Sequence, residues 1–315
     1  GGGRGVVIAT EEWTALHSAA LAIRMLSSPF VRASRLPVEV FVSQPLHSMC
    51  EMIFRHPKIR HRGTVTCRAF AEREKGADDG AEEEGGRVFF FGSRRTEALL
   101  HTSFDQVLLL DPNVYLMQNP NEVFQSEAFK TQGVVFGAGV FGSACKGYAN
   151  VVHGLTSWPE HIIWKMTGTE WEDDIEHGQD IDDGLMFVDL TKRYATAVFA
   201  QWLCSQEFVR KVVERGSEQA CMKIAALRTH PDETFALLDQ MPPRYMGLEN
   251  RESSFKSPTF EGRAFVHYYQ NKPFALHTWS VNILGLPASL RLHPSPSDGS
   301  GGEEAVAAAA AAAAG

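Results

Sequence analysis

The chain has 315 residues and a hydrophobic fraction of 44%, so it is long enough to bury the core of one large α/β domain or two smaller ones. Its formal net charge is −8, but residues 72–84 alone carry seven acidic and two basic side chains, which leaves the rest of the chain near −3. This balance, with no basic patch and no run of 18 apolar residues, argues against a nucleic-acid-binding surface and against a membrane-spanning helix.

The first 70 residues alternate between strand and helix patterns. Strands are expected at 5–10, 37–42 and 64–70, and helices at 11–27 and 48–54. This β-α-β-α-β order predicts a parallel sheet with right-handed crossovers. Because no G-x-G-x-x-G follows the first strand, an NAD-dependent dehydrogenase is not expected.

Composition also indicates where the folded domain begins and ends and which cysteine-based motifs it lacks. We expect a folded domain over residues 1–292, interrupted by an acidic, disordered insert at 71–87 and followed by a low-complexity tail at 293–315. The chain starts at Gly1 without a Met or a signal-peptide pattern, so we expect it to be a piece of a longer protein. The five cysteines lack C-x-x-C spacing, which leaves zinc and redox motifs unsupported, and their odd number leaves at least one free thiol.

The most informative stretch is a buried strand pattern that ends in an acidic turn. A helix pattern at 93–102 leads into the apolar run 107–110, which stops at Asp111 and continues as Pro112-Asn113. Ligands of open α/β sheets bind beyond the carboxyl ends of such strands, so we expect Asp111 at a functional edge. Asp, Pro and Asn also favour turns, and an ordinary strand-ending turn is the alternative.

This stretch resembles the metal-binding strand end of GT-A glycosyltransferases, in which Asp-x-Asp holds a divalent cation against a nucleotide-sugar diphosphate. The resemblance is greatest to the alpha-mannosyltransferases of glycosyltransferase family 71. The matching residues are Ser103-Phe104-Asp105-Gln106-Val107, Leu110-Asp111-Pro112-Asn113, Asn119-Pro120, Val123-Phe124, Ser126, Phe129 and Gly133. Asn113 stands where the family has its second Asp, and its neutral oxygen implies weaker metal binding than a second carboxylate. Less specific matches at 6–10, 23–26 and 36–40 extend the resemblance to the first strands.

Beyond the acidic turn, the pattern predicts a Gly-interrupted strand at 133–142 and helices at 194–213 and 230–238. Glycines in the strand permit a close approach of the backbone. This segment is not a phosphate-binding P-loop, because it lacks the Gly-Lys-Ser/Thr ending.

A second acidic segment precedes an apolar strand pattern. Residues 170–183 do not fit a calcium EF-hand loop, and they lead directly into Gly184 and an apolar run that ends at Asp189. The join resembles segments of family 71 and of glycogenin-like enzymes in which the residues before the Gly face the donor or acceptor sugar. The resemblance implies that Asp182 or Asp183 positions the acceptor hydroxyl or stabilises oxocarbenium character. A solvated acidic loop is the alternative.

Two histidines flank a Lys-Pro pair near the end of the informative sequence. His267 to Phe274 resembles the H-x-G-x-x-K-P-W segment of glycogenin-like enzymes, in which the His completes a metal site and the Lys contacts diphosphate. We therefore expect His267, rather than His277, to be a metal ligand and Lys272 to contact diphosphate. One of Arg94 and Arg95 is a second candidate for the diphosphate, because GT-A enzymes often carry a basic residue here and Arg binds phosphate bidentately; of the two we expect Arg95. A solvated surface charge is the alternative for Arg95.

The resemblance implies a GT-A fold, that is, an α/β, Rossmann-like, mostly parallel sheet with helices on both faces. It implies Mn²⁺ or Mg²⁺ bound by Asp111, Asn113 and His267, and a donor diphosphate bound by Arg95, Asp111, Asn113 and Lys272. The expected reaction is metal-dependent transfer of mannose from GDP-mannose to a glycan or glycoprotein, with retention.

Two further hypotheses remain open from the sequence. One is a glycogenin-like hexosyltransferase that uses a UDP-sugar, and the other is a GT-A domain that binds a nucleotide sugar without turnover. By resemblance alone, we expect the full-length protein in the Golgi lumen as a type II membrane protein, attached through an N-terminal anchor that this chain does not include.

Overall fold

A computed structural model of the protein describes residues 2–31, 34–57, 59, 61–70, 93–138, 181–206, 217–230, 235–238, 244–250 and 259–278. The predicted insert at 71–87, the tail at 293–315 and most of the second acidic segment lie outside these residues. The domain boundaries therefore remain a prediction. Among the described helices, none combines the length and apolar composition that a membrane span requires.

Eleven strands in the described residues form two sheets. In chain order they are β1 (Arg4–Thr10), β2 (Val38–Val42), β3 (Val65–Ala69), β4 (Gln106–Leu110), β5 (Val114–Leu116), β6 (Val134–Ala138), β7 (Ile181–Asp189), β8 (Ala236–Leu237), β9 (Arg244–Asn250), β10 (Thr259–Tyr269) and β11 (Lys272–Thr278). The larger sheet has the spatial order β3-β2-β1-β4-β7-β6-β8, and the smaller sheet has the order β5-β11-β10-β9.

The larger sheet is mostly parallel. Strand β7 runs antiparallel to its neighbours β4 and β6, and the other neighbouring strands of this sheet pair in parallel. Strand β7 is thus the reversed strand of the seven. The carboxyl end of β4 meets the amino-terminal part of β7, since Leu110 pairs with Leu185. The α/β, mostly parallel sheet expected from the sequence is confirmed.

Helices cover both faces of this sheet, as the sequence predicts. The helices are α1 (Trp13–Leu26), α2 (His47–Arg55), α3 (Ser93–His101), α4 (Asn121–Phe124), α5 (Glu127–Gln132), α6 (Leu190–Ser205) and α7 (Ser217–Thr229). Side chains of α3, α6 and α7 pack in one buried cluster, and those of α1, α2, α4 and α5 pack in the other.

Strand β4 is fixed by burial on both faces. Val107 and Leu109 belong to the cluster on one face, whereas Leu108 and Leu110 belong to the cluster on the other. Successive side chains of a strand point to opposite faces, and full burial of each such side chain contributes about 1.5–3 kcal/mol. The position of the next residue, Asp111, is therefore set by a strand that cannot slip without exposing its apolar residues.

Three residues of the family 71 pattern have a structural role that the fold explains. The hydroxyl of Ser126 accepts a hydrogen bond from the backbone N–H of Phe129 (3.1 Å) and so caps the start of α5. The Phe129 side chain is fully buried. Gly133 ends the helix in a left-handed conformation, with φ of 68°, which favours glycine.

The helix predicted at 230–238 is wrong in its second half. Ala236–Leu237 forms strand β8, which pairs in parallel with Val135 and Phe136 of β6. The backbone N–H of Leu238 also donates to the carbonyl oxygen of Phe136 (2.8 Å). Hydrogen bonding to the edge of the sheet overrides the local helical pattern here, and residues 231–234 lie outside the described part of the chain.

A disulfide joins Cys50 of α2 to Cys67 of β3, a pairing that the sequence left open. It links a helix on one face of the sheet to the strand at the sheet's edge. Cys204 and Cys221 are buried and do not take part in this disulfide.

Candidate active site

The acidic turn after β4 is tied to the neighbouring strand β7. The backbone N–H of Asp111 donates to the carbonyl oxygen of Gly184 (2.8 Å). One carboxylate oxygen of Asp111, Oδ1, accepts from the backbone N–H of Asn113 (2.8 Å), which closes an Asx-turn. The other, Oδ2, lies 3.6 Å from Nη2 of Arg95. Both oxygens of the predicted metal ligand therefore already interact with groups of this chain.

Asn113 fixes the turn to the smaller sheet. Its backbone carbonyl oxygen accepts from the backbone N–H of Thr278 (3.0 Å) and from the Thr278 hydroxyl (3.2 Å). Strand β5 then pairs with β11, with Val114 opposite His277. The turn at 111–113 is thus the place where the two sheets meet.

Asp182 is the centre of a buried polar cluster beside this turn. Its Oδ1 accepts from the backbone N–H of Gly184 (2.9 Å). Its Oδ2 lies 2.6 Å from Nε2 of His267 and 2.9 Å from Nδ1 of His277. The exposed fraction is 7% for the Asp182 side chain, 2% for that of His267 and 12% for that of His277.

The histidines keep Asp182 ionised. Burial alone would raise the pKa of this carboxyl group, but the charge and hydrogen bond of His277 and those of His267 outweigh burial and hold the pKa well below its usual value. The cluster therefore contains a buried negative charge.

Two glycines make room for the imidazole rings. A Cβ atom on Gly184 would lie 2.6 Å from Cε1 of His277, and a Cβ atom on Gly137 would lie 3.0 Å from Cε1 of His267. Both distances are shorter than ordinary van der Waals contact, so a larger residue at either position would displace a ring. At Gly137 this is the close backbone approach that the Gly-interrupted pattern at 133–142 predicts.

The two histidines share one face of the hairpin formed by β10 and β11. His267 pairs directly with Ala275, and His277 lies two residues from Ala275 on the same strand, hence on the same side. The ring centroids are 6.4 Å apart. The hairpin turns at Gln270 and Asn271, both with positive φ, and this two-residue turn sets the register that brings the rings together.

The remaining predicted residues have different surroundings. Arg95 is next to Asp111, whereas Arg94 forms ion pairs with Glu11 and Glu97. Lys272 is exposed at the opposite end of β11 from His277. Asp183 follows Asp182 on β7, and its side chain is outside the described part of the structure.

The structure thus groups the predicted residues in two adjacent sets. Asp111, Asn113 and Arg95 form the turn, and His267 joins Asp182 one strand away. His277 completes the second set, although the sequence pattern favoured His267 of the two histidines. In the sequence, a two-residue hairpin turn at 270 and 271 was the signal that could have placed the His267 and His277 rings side by side.

Asp182, His267 and His277 are suited to a divalent cation. Each offers one ligand atom, and these three atoms lie within 4.8 Å of one another. A carboxylate oxygen and two imidazole nitrogens form a donor set that borderline divalent cations accept. Asp111 is not one of the three members of this cluster.

The Asp111 turn and the Asp182 cluster lie at the carboxyl edge of a mostly parallel sheet, which is where α/β domains bind their ligands. Residues 3–137 match the family described as "Mannosyltransferase putative". This match confirms the resemblance inferred from the sequence and supports a glycosyltransferase. It includes Asp111 and Asn113 and ends before Asp182 and both histidines.

Similar solved structures include three sugar transferases. The glycosyltransferase GlyE of Streptococcus pneumoniae TIGR4 is 13% identical, with a TM-score of 0.45 over 76% of this chain and 46% of GlyE. Mouse xyloside xylosyltransferase 1 is 13% identical, with a TM-score of 0.42 over 75% of this chain and 85% of that protein. The galactosyltransferase LgtC, solved with donor and acceptor sugar analogs, is 11% identical, with a TM-score of 0.43 over 75% of this chain and 73% of LgtC. A search of curated protein sequences finds no match.

Proposed function

We propose that this chain is a GT-A glycosyltransferase domain that transfers mannose from GDP-mannose to a glycan or glycoprotein, with retention and with a divalent cation. One observation carries the proposal. The Asp111 turn, inside the segment that matches the mannosyltransferase family, is hydrogen-bonded through Gly184 to the strand that carries Asp182. An acidic strand end and a donor set suited to a divalent cation thereby meet at the edge where α/β sheets bind ligands.

The charge of the site suits a nucleotide-sugar diphosphate. The donor is an anion, and its leaving group gains negative charge as the glycosidic bond breaks. Arg95 carries a cationic guanidinium at the Asp111 turn, where it can form bidentate hydrogen bonds with phosphate oxygens. A bound divalent cation would supply Lewis-acid stabilisation of the same leaving group. Lys272 is proposed to contact the diphosphate as well, in keeping with the glycogenin-like pattern around it.

Asp182 and Asp183 are proposed to act on the sugar side of the site. A buried carboxylate that remains ionised stabilises positive charge on a neighbouring group, because little water is present to screen it. Oxocarbenium character at the anomeric carbon is such a charge. A carboxylate at this position can also hold the acceptor hydroxyl by accepting its hydrogen bond.

The turn itself provides support for a second candidate, a domain that binds a nucleotide sugar without turnover. One carboxylate oxygen of Asp111 accepts from the backbone N–H of Asn113, and the other lies beside Arg95. The Asn113 side chain offers no second carboxylate. A donor that only binds needs no metal on Asp111. Turnover requires that the diphosphate draw Arg95 away from Asp111 or that the cation bind elsewhere.

We further propose that the protein works in an oxidising compartment, namely the Golgi lumen, as a type II membrane protein. The disulfide between Cys50 and Cys67 supports this location, because disulfides persist in secretory compartments and are rare in the cytosol. Mass spectrometry of the alkylated, non-reduced protein from its native cell tests the disulfide directly. Alkylated thiols at both positions would contradict the proposed location.

The reaction is tested by nucleotide release with GDP-mannose and with UDP-sugars, each with and without Mn²⁺. We expect Mn²⁺-dependent release of GDP that falls at least about 100-fold in Asp111→Asn, which removes the charge and keeps the shape. Glu127→Gln is the matched control, because this carboxylate lies on the surface of α5.

Two other outcomes of the nucleotide-release assay would change the assignment. Release of UDP from a UDP-sugar would replace the mannosyltransferase proposal with the glycogenin-like one. Binding of donor to folded protein without release of any nucleotide would favour the non-catalytic domain.

A further inference from the structure

We propose that Asp182, His267 and His277 form a binding site for one borderline divalent cation, such as Mn²⁺, Co²⁺ or Zn²⁺, and that this site discriminates against Mg²⁺ and Ca²⁺. The site differs from the set expected at the acidic turn in two of its three ligands, and with Asp182 bound to the cation the sugar-side role proposed above falls to Asp183. The proposal that the cluster binds a metal does not depend on the transferase reaction. Only the placement of the cation beside a donor diphosphate rests on the proposed function.

Convergence of the side chains is the first argument. Two imidazole nitrogens from neighbouring strands approach the same carboxylate oxygen, Oδ2 of Asp182, at 2.6 and 2.9 Å. On binding a cation, each of these two nitrogens would release its proton and offer a lone pair in place of the hydrogen bond to the carboxylate. The ligand atoms come from β7 of the larger sheet and from β10 and β11, which pair with each other in the smaller sheet.

The surroundings of these side chains orient them for a ligand. Oδ1 of Asp182 accepts a hydrogen bond from the Gly184 backbone, which fixes the carboxylate plane and leaves Oδ2 for the cluster. Hydrogen bonds of this kind orient metal ligands and raise metal affinity. Gly137 and Gly184 leave the space that the two rings fill.

The balance of charge favours a cation. Asp182 and His267 are buried, and a buried carboxylate is costly unless a positive charge or several hydrogen bonds compensate it. Without a cation, the two imidazoles compensate this charge by donating to it, whereas a bound divalent cation would compensate it directly and use the imidazole nitrogens as ligands. One carboxylate leaves a net positive charge on the bound cation, which is the sign that attracts a diphosphate.

The donor set determines which cations bind. Mg²⁺ and Ca²⁺ prefer oxygen ligands, whereas Mn²⁺, Co²⁺ and Zn²⁺ accept imidazole nitrogen. A hard cation would need further carboxylate oxygens, and the cluster contains a single carboxylate, that of Asp182. The two-histidine site therefore selects by ligand type.

Direct metal binding to the purified, chelator-treated chain tests the site without any sugar donor. Calorimetric titration should give one Mn²⁺ or Co²⁺ per chain, with at least about tenfold weaker binding of Mg²⁺. Pulsed electron paramagnetic resonance of bound Mn²⁺ should show nitrogen couplings from two imidazoles. Absence of nitrogen coupling, or no binding of Mn²⁺, Co²⁺ and Zn²⁺ to the folded protein, would overturn the proposal.

Matched variants locate the site. Asp182→Asn keeps the side-chain shape and should weaken Mn²⁺ binding at least about 100-fold, and His277→Gln should remove one of the two nitrogen couplings. His101→Gln, an exposed histidine on α3, is the control and should bind as the wild type does. Unchanged affinity in folded Asp182→Asn would overturn the assignment. If a variant does not fold, the nitrogen couplings of the wild-type protein decide the question.

Adding GDP separates this site from the proposed reaction. A phosphorus coupling to bound Mn²⁺ supports placement of the cation beside a diphosphate. Nitrogen couplings without a phosphorus coupling overturn that placement. Metal binding without sugar transfer supports the site and contradicts the proposed function.

Discussion

Gly184→Ala tests whether the fold of the site, rather than its ligands alone, determines metal binding. A Cβ atom at this position would lie 2.6 Å from Cε1 of His277 and 3.1 Å from Oδ1 of Asp182. Ordinary contact begins at 3.4 Å, so the His277 ring must move by roughly 1 Å. Overpacking of this kind destabilises by about 1–3 kcal/mol, and a displacement of about 1 Å in a functional group can lower its effect about 100-fold.

We therefore expect Gly184→Ala to lower Mn²⁺ affinity about 100-fold, measured by calorimetry on protein shown to be folded by circular dichroism. Val135→Ile is the matched control, since it also adds carbon to the buried sheet but lies outside the cluster. The control should lose a comparable free energy of unfolding and keep its metal affinity. Equal metal affinity in wild type and folded Gly184→Ala would refute the steric argument.

Three further predictions concern the frame around the site. Burial raises the pKa of Glu39, but hydrogen bonds from Thr102 and Ser103 and the charge of Arg68 outweigh it, so the pKa is lowered on folding. The stabilisation that the Glu39 carboxylate gives the folded state should be complete above the unfolded pKa, about 4.3, and should disappear as pH falls through the lower, folded pKa. Glu39→Gln should lower the free energy of unfolding by about 2 kcal/mol at pH 7. In urea unfolding from pH 3 to 7, its free energy of unfolding should also depend less on pH than that of the wild type. The Cys50–Cys67 disulfide closes a loop with a separation of 17 residues, so its reduction should lower the free energy of unfolding by about 3 kcal/mol, measured in urea with and without reductant. Arg95→Met should weaken GDP binding about tenfold in calorimetry, because it removes the guanidinium beside the Asp111 turn; unchanged GDP affinity would remove Arg95 from the donor site.

The acidic strand end could be predicted because its signal is local. Four apolar residues followed by Asp111 describe a strand that is buried on both faces, and the structure buries all four. The helix caps and turns in the matched segment are local as well, as Ser126 and Gly133 show. Such features depend on neighbours within a few residues, which the sequence displays directly.

The cluster around Asp182 depends on contacts that the sequence does not display. Asp182 and His267 are 85 residues apart, and their contact requires both sheets to form. The pairing of His267 with His277 depends on the location of a hairpin turn at Gln270 and Asn271 and on the irregular register beside His267. The same limit explains strand β8, where edge pairing decides the structure of a segment with a helical pattern.

The dependence of transfer on the Asp182–His267–His277 site can be measured as release of GDP from GDP-mannose over a range of Mn²⁺ concentrations, with wild-type protein and with Asp182→Asn. We expect saturable release by the wild type, with half-saturation at the Mn²⁺ concentration that fills this site. We expect Asp182→Asn to reduce release at least about 100-fold at subsaturating Mn²⁺ while the protein remains folded. Release that is independent of Mn²⁺, or equal in the two proteins, would show that a cation at this site does not drive the reaction.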